Sequence, residues 1–108
     1  MACRAVGHVL KKDYGIPSQF KLPNDILVKG EKICGVLAES RSHSSATLRL
    51  DYVILGIGLN VNAEAEDLLP GATSMKQLKG QAWDRKKILK EILQALTEEL
   101  EKLHAPTF

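Results

Sequence analysis

From Val53 to Val61 the chain reads Val-Ile-Leu-Gly-Ile-Gly-Leu-Asn-Val, its most apolar stretch. The run falls far short of the roughly 18 to 20 apolar residues that a membrane-spanning helix needs, and its β-branched content favours a strand. Apolar side chains at both parities predict a strand covered on both faces, so this segment is expected to be a buried central strand. Gly56 and Gly58 within it mark a bulge or a place where another group approaches the backbone closely. A central strand needs neighbours, and the preceding sequence offers them.

Ala2 to Asp13 carries Ala5, Val6, Val9 and Leu10 at helical spacing and is stopped by Gly15. Ile16-Pro17-Ser18 then reads as a turn, and Gln19 to Leu22 as a strand broken by Pro23-Asn24-Asp25. Ile26-Leu27-Val28 and the strand from Lys32 to Glu39 flank Lys29-Gly30-Glu31, which predicts a β-hairpin. Ser40 to Ser45 has the composition of an exposed loop, and Ala46 to Leu55 leads into the apolar run as a strand. Thr73 is placed to cap a short helix through Leu78, ended by Lys79-Gly80. Asp84 is placed to cap a longer one in which Ile88, Leu89, Ile92, Leu93, Leu96, Leu100 and Leu103 form one apolar face that packs on the sheet. Arg85, Lys86 and Lys87 open that helix and Glu98, Glu99 and Glu101 close it, against the macrodipole, so burial has to hold it. The fold class is therefore α+β, a largely antiparallel sheet with helices packed on one side.

At 108 residues the chain suffices for a single domain, residues 1–108, and 44% hydrophobic with 26% charged residues is an ordinary globular mixture. Fifteen Lys and Arg against 13 Asp and Glu leave a net charge of only +2, which does not favour nucleic acid as a partner. No membrane segment or signal peptide is evident. Cys3 and Cys34 show neither metal-ligand nor disulfide spacing, and a reducing cytoplasm fits them best.

Chemistry concentrates in three places. Lys21-Leu22-Pro23-Asn24-Asp25 brings a cation, an amide and a carboxylate to one bend: Lys21 and Asn24 suit a phosphate or base, and Asp25 suits a hydrogen bond or Mg²⁺. The same residues are also ordinary turn chemistry. Lys32 starts a strand one short hairpin later, with Gly35 leaving room beside it; it either borders the same pocket or is merely solvated. Gly56-Ile57-Gly58-Leu59-Asn60 lacks the remainder of a dinucleotide fingerprint, and Asn60 either reads a ligand edge or satisfies backbone. Cys34 reads as a small buried residue, the three histidines have no metal or triad spacing, and Trp83 reads as a core contact.

Taken together, Phe20 to Val28, Lys32 to Glu39 and Ile54 to Asn62, followed by Ala72-Thr73-Ser74-Met75, resemble the biotin protein ligases, with motifs of the forms K-W-P-N-D, K-x-x-G-[IV]-L and G-x-G-[IL]-N in the same order. The resemblance implies a two-step reaction. Biotin and ATP give biotinyl-adenylate and pyrophosphate, and a lysine of a biotin carboxyl carrier domain then attacks the mixed anhydride. It implies Lys32 and Asp25 as catalytic residues and Lys32, Gly35, Gly56 and Gly58 around biotin. Lys21, Asn24 and Asn60 fall on the nucleotide, with Asp25 on Mg²⁺. A homodimer is compatible with this reading.

Two departures qualify the resemblance. Leu22 stands where the motif has Trp, which removes an aromatic face worth roughly 1 to 3 kcal/mol in stacking on a base. The family's Gly/Arg-rich loop has no counterpart here, since Arg4, Arg41, Arg49 and Arg85 are the only arginines, and neither does its C-terminal β-barrel. The expectation is thus a partial catalytic domain, impaired in ATP-dependent biotin transfer by itself. The alternatives are a non-catalytic binding or assembly module derived from this fold, or a lipoate-ligase-like protein.

Overall fold

The computed structural model describes residues 1–42 and 50–104. In chain order they form α1 (Ala2–Tyr14), β1 (Gln19–Lys21), β2 (Asp25–Val28), β3 (Glu31–Ser42), β4 (Leu50–Leu59), a 3₁₀ turn (Ala65–Asp67), α2 (Met75–Lys79) and α3 (Arg85–His104). The strands make one antiparallel sheet in the order β1-β2-β3-β4. The α+β expectation holds, with the helices gathered over one face.

Helix α1 forms because Ala5, Val6, Val9 and Leu10 recur on one side and bury there, and it ends because Gly15 adopts φ 64°. The Gly15 amide then returns to the Lys11 carbonyl and the Ile16 amide to that of Leu10, turning Ile16 into the core. Beneath α1 lie Ile26 and Val28 of β2 and Ile33, Cys34 and Val36 of β3, all buried. Lys29 (φ 51°) and Gly30 (φ 82°) join these strands in a two-residue turn with both residues left-handed, the geometry that matches strand twist. Glu31, expected in the turn, already pairs with Val28.

Several expectations are corrected. Ser40 to Ser42 belong to β3 rather than to a loop, while residues 43–49, including the rest of that predicted loop and the start of the next strand, lie outside the described residues. The short helix is capped by Ser74, not Thr73: Ser74 has the extended backbone of a cap (φ −139°, ψ 165°), and its hydroxyl accepts from the Gln77 amide at 3.1 Å while donating to the Ala63 carbonyl at 2.8 Å. Asp84 does cap α3, accepting from the Lys86 and Lys87 amides.

The two largest corrections concern burial. The predicted central strand, β4, is the last strand of the sheet among the described residues, and Val53 and Ile54 are 54% and 56% exposed. Helix α3 packs mainly against α1 rather than on the sheet: Ile88, Ile92 and Ala95 bury there, whereas Leu89, Leu93, Leu100 and Leu103 stay exposed. Periodicity located the apolar residues correctly, but half of that face has no cover among the described residues. A radius of gyration of 15.7 Å, against about 13 Å for a compact chain of this length, fits such an open arrangement.

Candidate functional site

The site is built on the face of the sheet that α1 leaves free. Asp25 of β2 lies opposite Gly35 of β3, and Gly35 opposite Gly58 of β4. One row across the sheet therefore consists of a carboxylate followed by two positions without side chains. Gly56, opposite Leu37, extends this bare floor along β4.

A bulge places Lys32 over the floor. The register pairs Leu27 with Lys32 but Ile26 with Cys34, so Ile33 is an extra residue on β3. Strict alternation would put Lys32 on the same side as Cys34, under α1. The inserted Ile33 returns it to the face of Asp25 and Gly35, because one added residue inverts the parity of everything beyond it. Lys32 Nζ then stands 3.2 Å from Asp25 Oδ1, with the two side chains 49% and 33% exposed. A Cβ on Gly35 would meet Lys32 Cε and Nζ at 3.2 Å, so the glycine is what lets the lysine lie flat. The Lys32 backbone is fixed as well: its amide donates to the Gly71 carbonyl at 2.9 Å and its carbonyl accepts from the Thr73 amide at 2.8 Å.

Lys32 separates two hollows. One, of about 580 Å³, is lined by Asn24, Asp25, Gly35, Leu37, Gly56 and Gly58 among others. The second, of about 330 Å³, holds Asn60 and Asp67 beside Leu68, Leu69 and Ala72. Lys32, Gly35 and Gly58 border both. Seven of the eight residues singled out in the sequence thus meet around one ammonium group. Lys21 does not, since it lines neither hollow and sits across from Asp25 on the exposed β1. The Asn60 amide nitrogen donates to the Thr73 carbonyl at 3.1 Å, so that part of the side chain serves backbone.

The neighbouring groups define what the site can do. Burial, chiefly, pushes the Cys34 thiol up to about 12, so it stays protonated at neutral pH and is no nucleophile. Sequence reasoning missed Leu37, 60% exposed at the rim, and the Asp67–Leu69 wall. It also missed Asn62, which accepts from the Trp83 amide at 2.8 Å and donates to the Trp83 carbonyl at 2.9 Å. That clamp sets Trp83 edge-on to Tyr14, ring centres 5.0 Å apart. Among the described residues, no group of three or more His, Cys, Asp or Glu could hold a metal ion unaided. No described helix is long and apolar enough to cross a membrane.

Residues 1–60 match the family model of the biotin/lipoate A/B protein ligases. The chain belongs to this family. It is 37% identical over 97 residues to the bifunctional ligase/repressor BirA of Bacillus subtilis, a match covering 86% of this chain and 29% of that protein. With the biotin–[acetyl-CoA-carboxylase] ligase of Mycobacterium tuberculosis it shares 40% identity over 76 residues, 70% of this chain and 26% of the relative. The solved biotin protein ligase of Aquifex aeolicus superposes with a TM-score of 0.77 at 33% identity, covering 95% of this chain and 44% of that one. The same ligase in complex with biotin and ATP gives a TM-score of 0.76. The chain thus spans less than a third of these curated relatives and less than half of the solved ligase.

Proposed function

We propose that this chain carries the carboxylate-activating centre of a biotin–protein ligase, with Lys32 as its principal catalytic residue. The observation that supports it is the position of the Lys32 ammonium between two hollows, anchored by Asp25 over a floor of glycines. In the reaction a biotin carboxylate oxygen attacks the α-phosphorus of ATP, and the bond to pyrophosphate breaks. The amine of a carrier lysine then attacks the acyl carbon, loses a proton, and expels AMP with the electron pair of the C–O bond.

The first step sets two anions together. Two like unit charges about 4 Å apart repel by about 4 kcal/mol at an effective dielectric of about 20, equivalent to about three decades of rate. A cation reaching both groups removes much of that penalty, and Lys32 has the placement. Biotin belongs in the larger hollow, where Gly35, Gly56 and Gly58 leave its walls open to a ring system. The nucleotide belongs in the smaller hollow beside Asn60, whereas Asn24 lines the larger one. Asp25 holds Lys32 in place and offers one carboxylate to Mg²⁺. A single acidic ligand fits an ion that arrives on nucleotide phosphates and keeps several waters. When bound, Mg²⁺ would neutralise phosphate charge. The acceptor in this reading is a biotin carboxyl carrier domain in the cytoplasm.

Isothermal titration with biotinyl-adenylate tests the reading. Lys32→Ala is expected to weaken binding at least tenfold, and equal affinity in parent and variant would remove Lys32 from the role. Competition by lipoate as strong as by biotin would move the substrate to the lipoate side of the family.

A further inference from the structure

Among the described residues, the buried polar side chains are Thr73 and Ser74, neighbours in sequence. A buried hydroxyl is costly unless it is hydrogen-bonded, so the pair needs a reason to be there. Ser74 is wholly buried, and its hydroxyl bonds the Ala63 carbonyl on one side and the Gln77 amide on the other. The helix it caps, α2, has five residues, too few to persist on its own hydrogen bonding. Its first turn is instead stitched to the chain leaving β4. The Met75 amide donates to the Asn60 carbonyl at 3.0 Å, the Lys76 amide to that of Val61 at 2.9 Å, and the Ser74 hydroxyl to that of Ala63.

The residues just before this cap form a strap across the start of β3. Lys32 and Ala72 make a parallel bridge, in which Lys32 donates to the Gly71 carbonyl and accepts from the Thr73 amide. The carbonyl of the same Thr73 accepts from Asn60 Nδ2 at 3.1 Å. Lys32 and Asn60 both border the smaller hollow. One residue of the strap therefore holds the backbone of the first and the side chain of the second. We propose that Ser74 is a positioning residue for the candidate site: its hydroxyl anchors the strap of residues 71–73 to the exit of β4 and so fixes Lys32 and Asn60 relative to each other across the smaller hollow. Without the hydroxyl, the Ala63 carbonyl and the Gln77 amide both lose a partner where the strap turns into α2. An ordinary cap would steady α2 and leave Lys32 untouched; an anchor steadies both. The anchoring follows from the hydrogen bonds alone, whereas its bearing on ligand binding rests on the biotin-ligase reading.

Native-state amide hydrogen exchange in urea tests the anchor in the unaltered chain. The Lys32, Thr73 and Gln77 amides are expected to open together, with one opening free energy and one urea dependence. Opening of Gln77 apart from Lys32 and Thr73 would reduce Ser74 to a helix cap and overturn the proposal. In Ser74→Ala, exchange at Lys32 and Thr73 should quicken about tenfold, while the Val36 amide, bonded to the Asn24 carbonyl outside the strap, stays unchanged. Should Ser74→Ala fail to fold by circular dichroism, Ser74→Gly replaces it, since glycine is tolerated at a cap. Isothermal titration with biotinyl-adenylate should show an affinity about tenfold weaker in Ser74→Ala and largely restored in Ser74→Thr. Val9→Ala, which empties part of the core under α1 away from the strap, should leave that affinity unchanged. Parental exchange at Lys32 in Ser74→Ala, or an equal loss of affinity in Val9→Ala, would overturn the proposal. Absence of biotinyl-adenylate binding by the parent would discard the biotin-ligase reading, and exchange at Lys32 would then decide the anchor.

Discussion

The β3–β4 ribbon is one continuous ladder with two unlike ends. At the near end, Ile33 meets Asn60, Lys32 bridges Ala72, and the chain beyond β4 is tied to other backbone. The Asn60 amide reaches the Ile33 carbonyl, the Met75 and Lys76 amides reach the Asn60 and Val61 carbonyls, and Gly71 to Thr73 bracket Lys32. At the far end, Glu39 to Arg41 and Tyr52 to Ile54 pair with one another but remain exposed. Among the described residues, the same two strands are thus framed at one end and unsupported at the other. What separates the two ends is the company of other backbone, and the candidate chemistry sits where that company is densest.

Three variants, a deletion and two substitutions, probe this contrast, and the largest effect belongs to the bulge. Deletion of Ile33 removes a fully buried side chain and reverses the facing of Lys32. We expect a loss of about 3 kcal/mol or more in urea unfolding, within the range for emptying a core position, together with complete loss of biotinyl-adenylate binding. Wild-type affinity in the deletion variant would show that the bulge does not aim the lysine. Next comes Asn62→Ala, which breaks both halves of the clamp on Trp83. Two part-buried hydrogen bonds imply a cost of about 2 kcal/mol, read as a lower urea midpoint at constant slope. At the far end, Ile54→Thr should change stability by no more than about 0.5 kcal/mol, as exposed positions usually do. A cost near that of Asn62→Ala would mean that the far end is covered after all.

Much of this was legible in the sequence because it is local. Helix α1 and its stop at Gly15 follow from a 3.6-residue period and from the one residue that tolerates a left-handed conformation without penalty. The hairpin around Lys29-Gly30 is legible for the same reason, and a tight turn there sets β2 against β3, which brings Asn24, Asp25, Lys32 and Gly35 within reach of one another. What stayed hidden is non-local or costs a single residue. An extra Ile33 among apolar neighbours leaves no mark in composition, yet it decides which face Lys32 occupies. Thr73 and Ser74 are adjacent hydroxyl residues, and only the backbone angles select the cap. The misread burial of β4 has a different origin: an apolar strand records that it needs neighbours, not where those neighbours come from. The exposed Leu89 and Leu93 of α3 carry the same unanswered demand.

The bracketing of Lys32 by Gly71 and Thr73 has a consequence for how strongly this lysine can hold an anion. A catalytic lysine on a loose segment must surrender both main-chain and side-chain freedom when it engages its target. Main-chain ordering amounts to roughly 1 to 2 kcal/mol per residue, and a lysine side chain adds up to about 2 kcal/mol. Here the main-chain part was spent when the hairpin closed on residues 71–73, and the Asp25 contact limits what remains. In the proposed role, Lys32 would meet an anion with much of its entropy surrendered in advance, so more of the electrostatic attraction would survive as affinity.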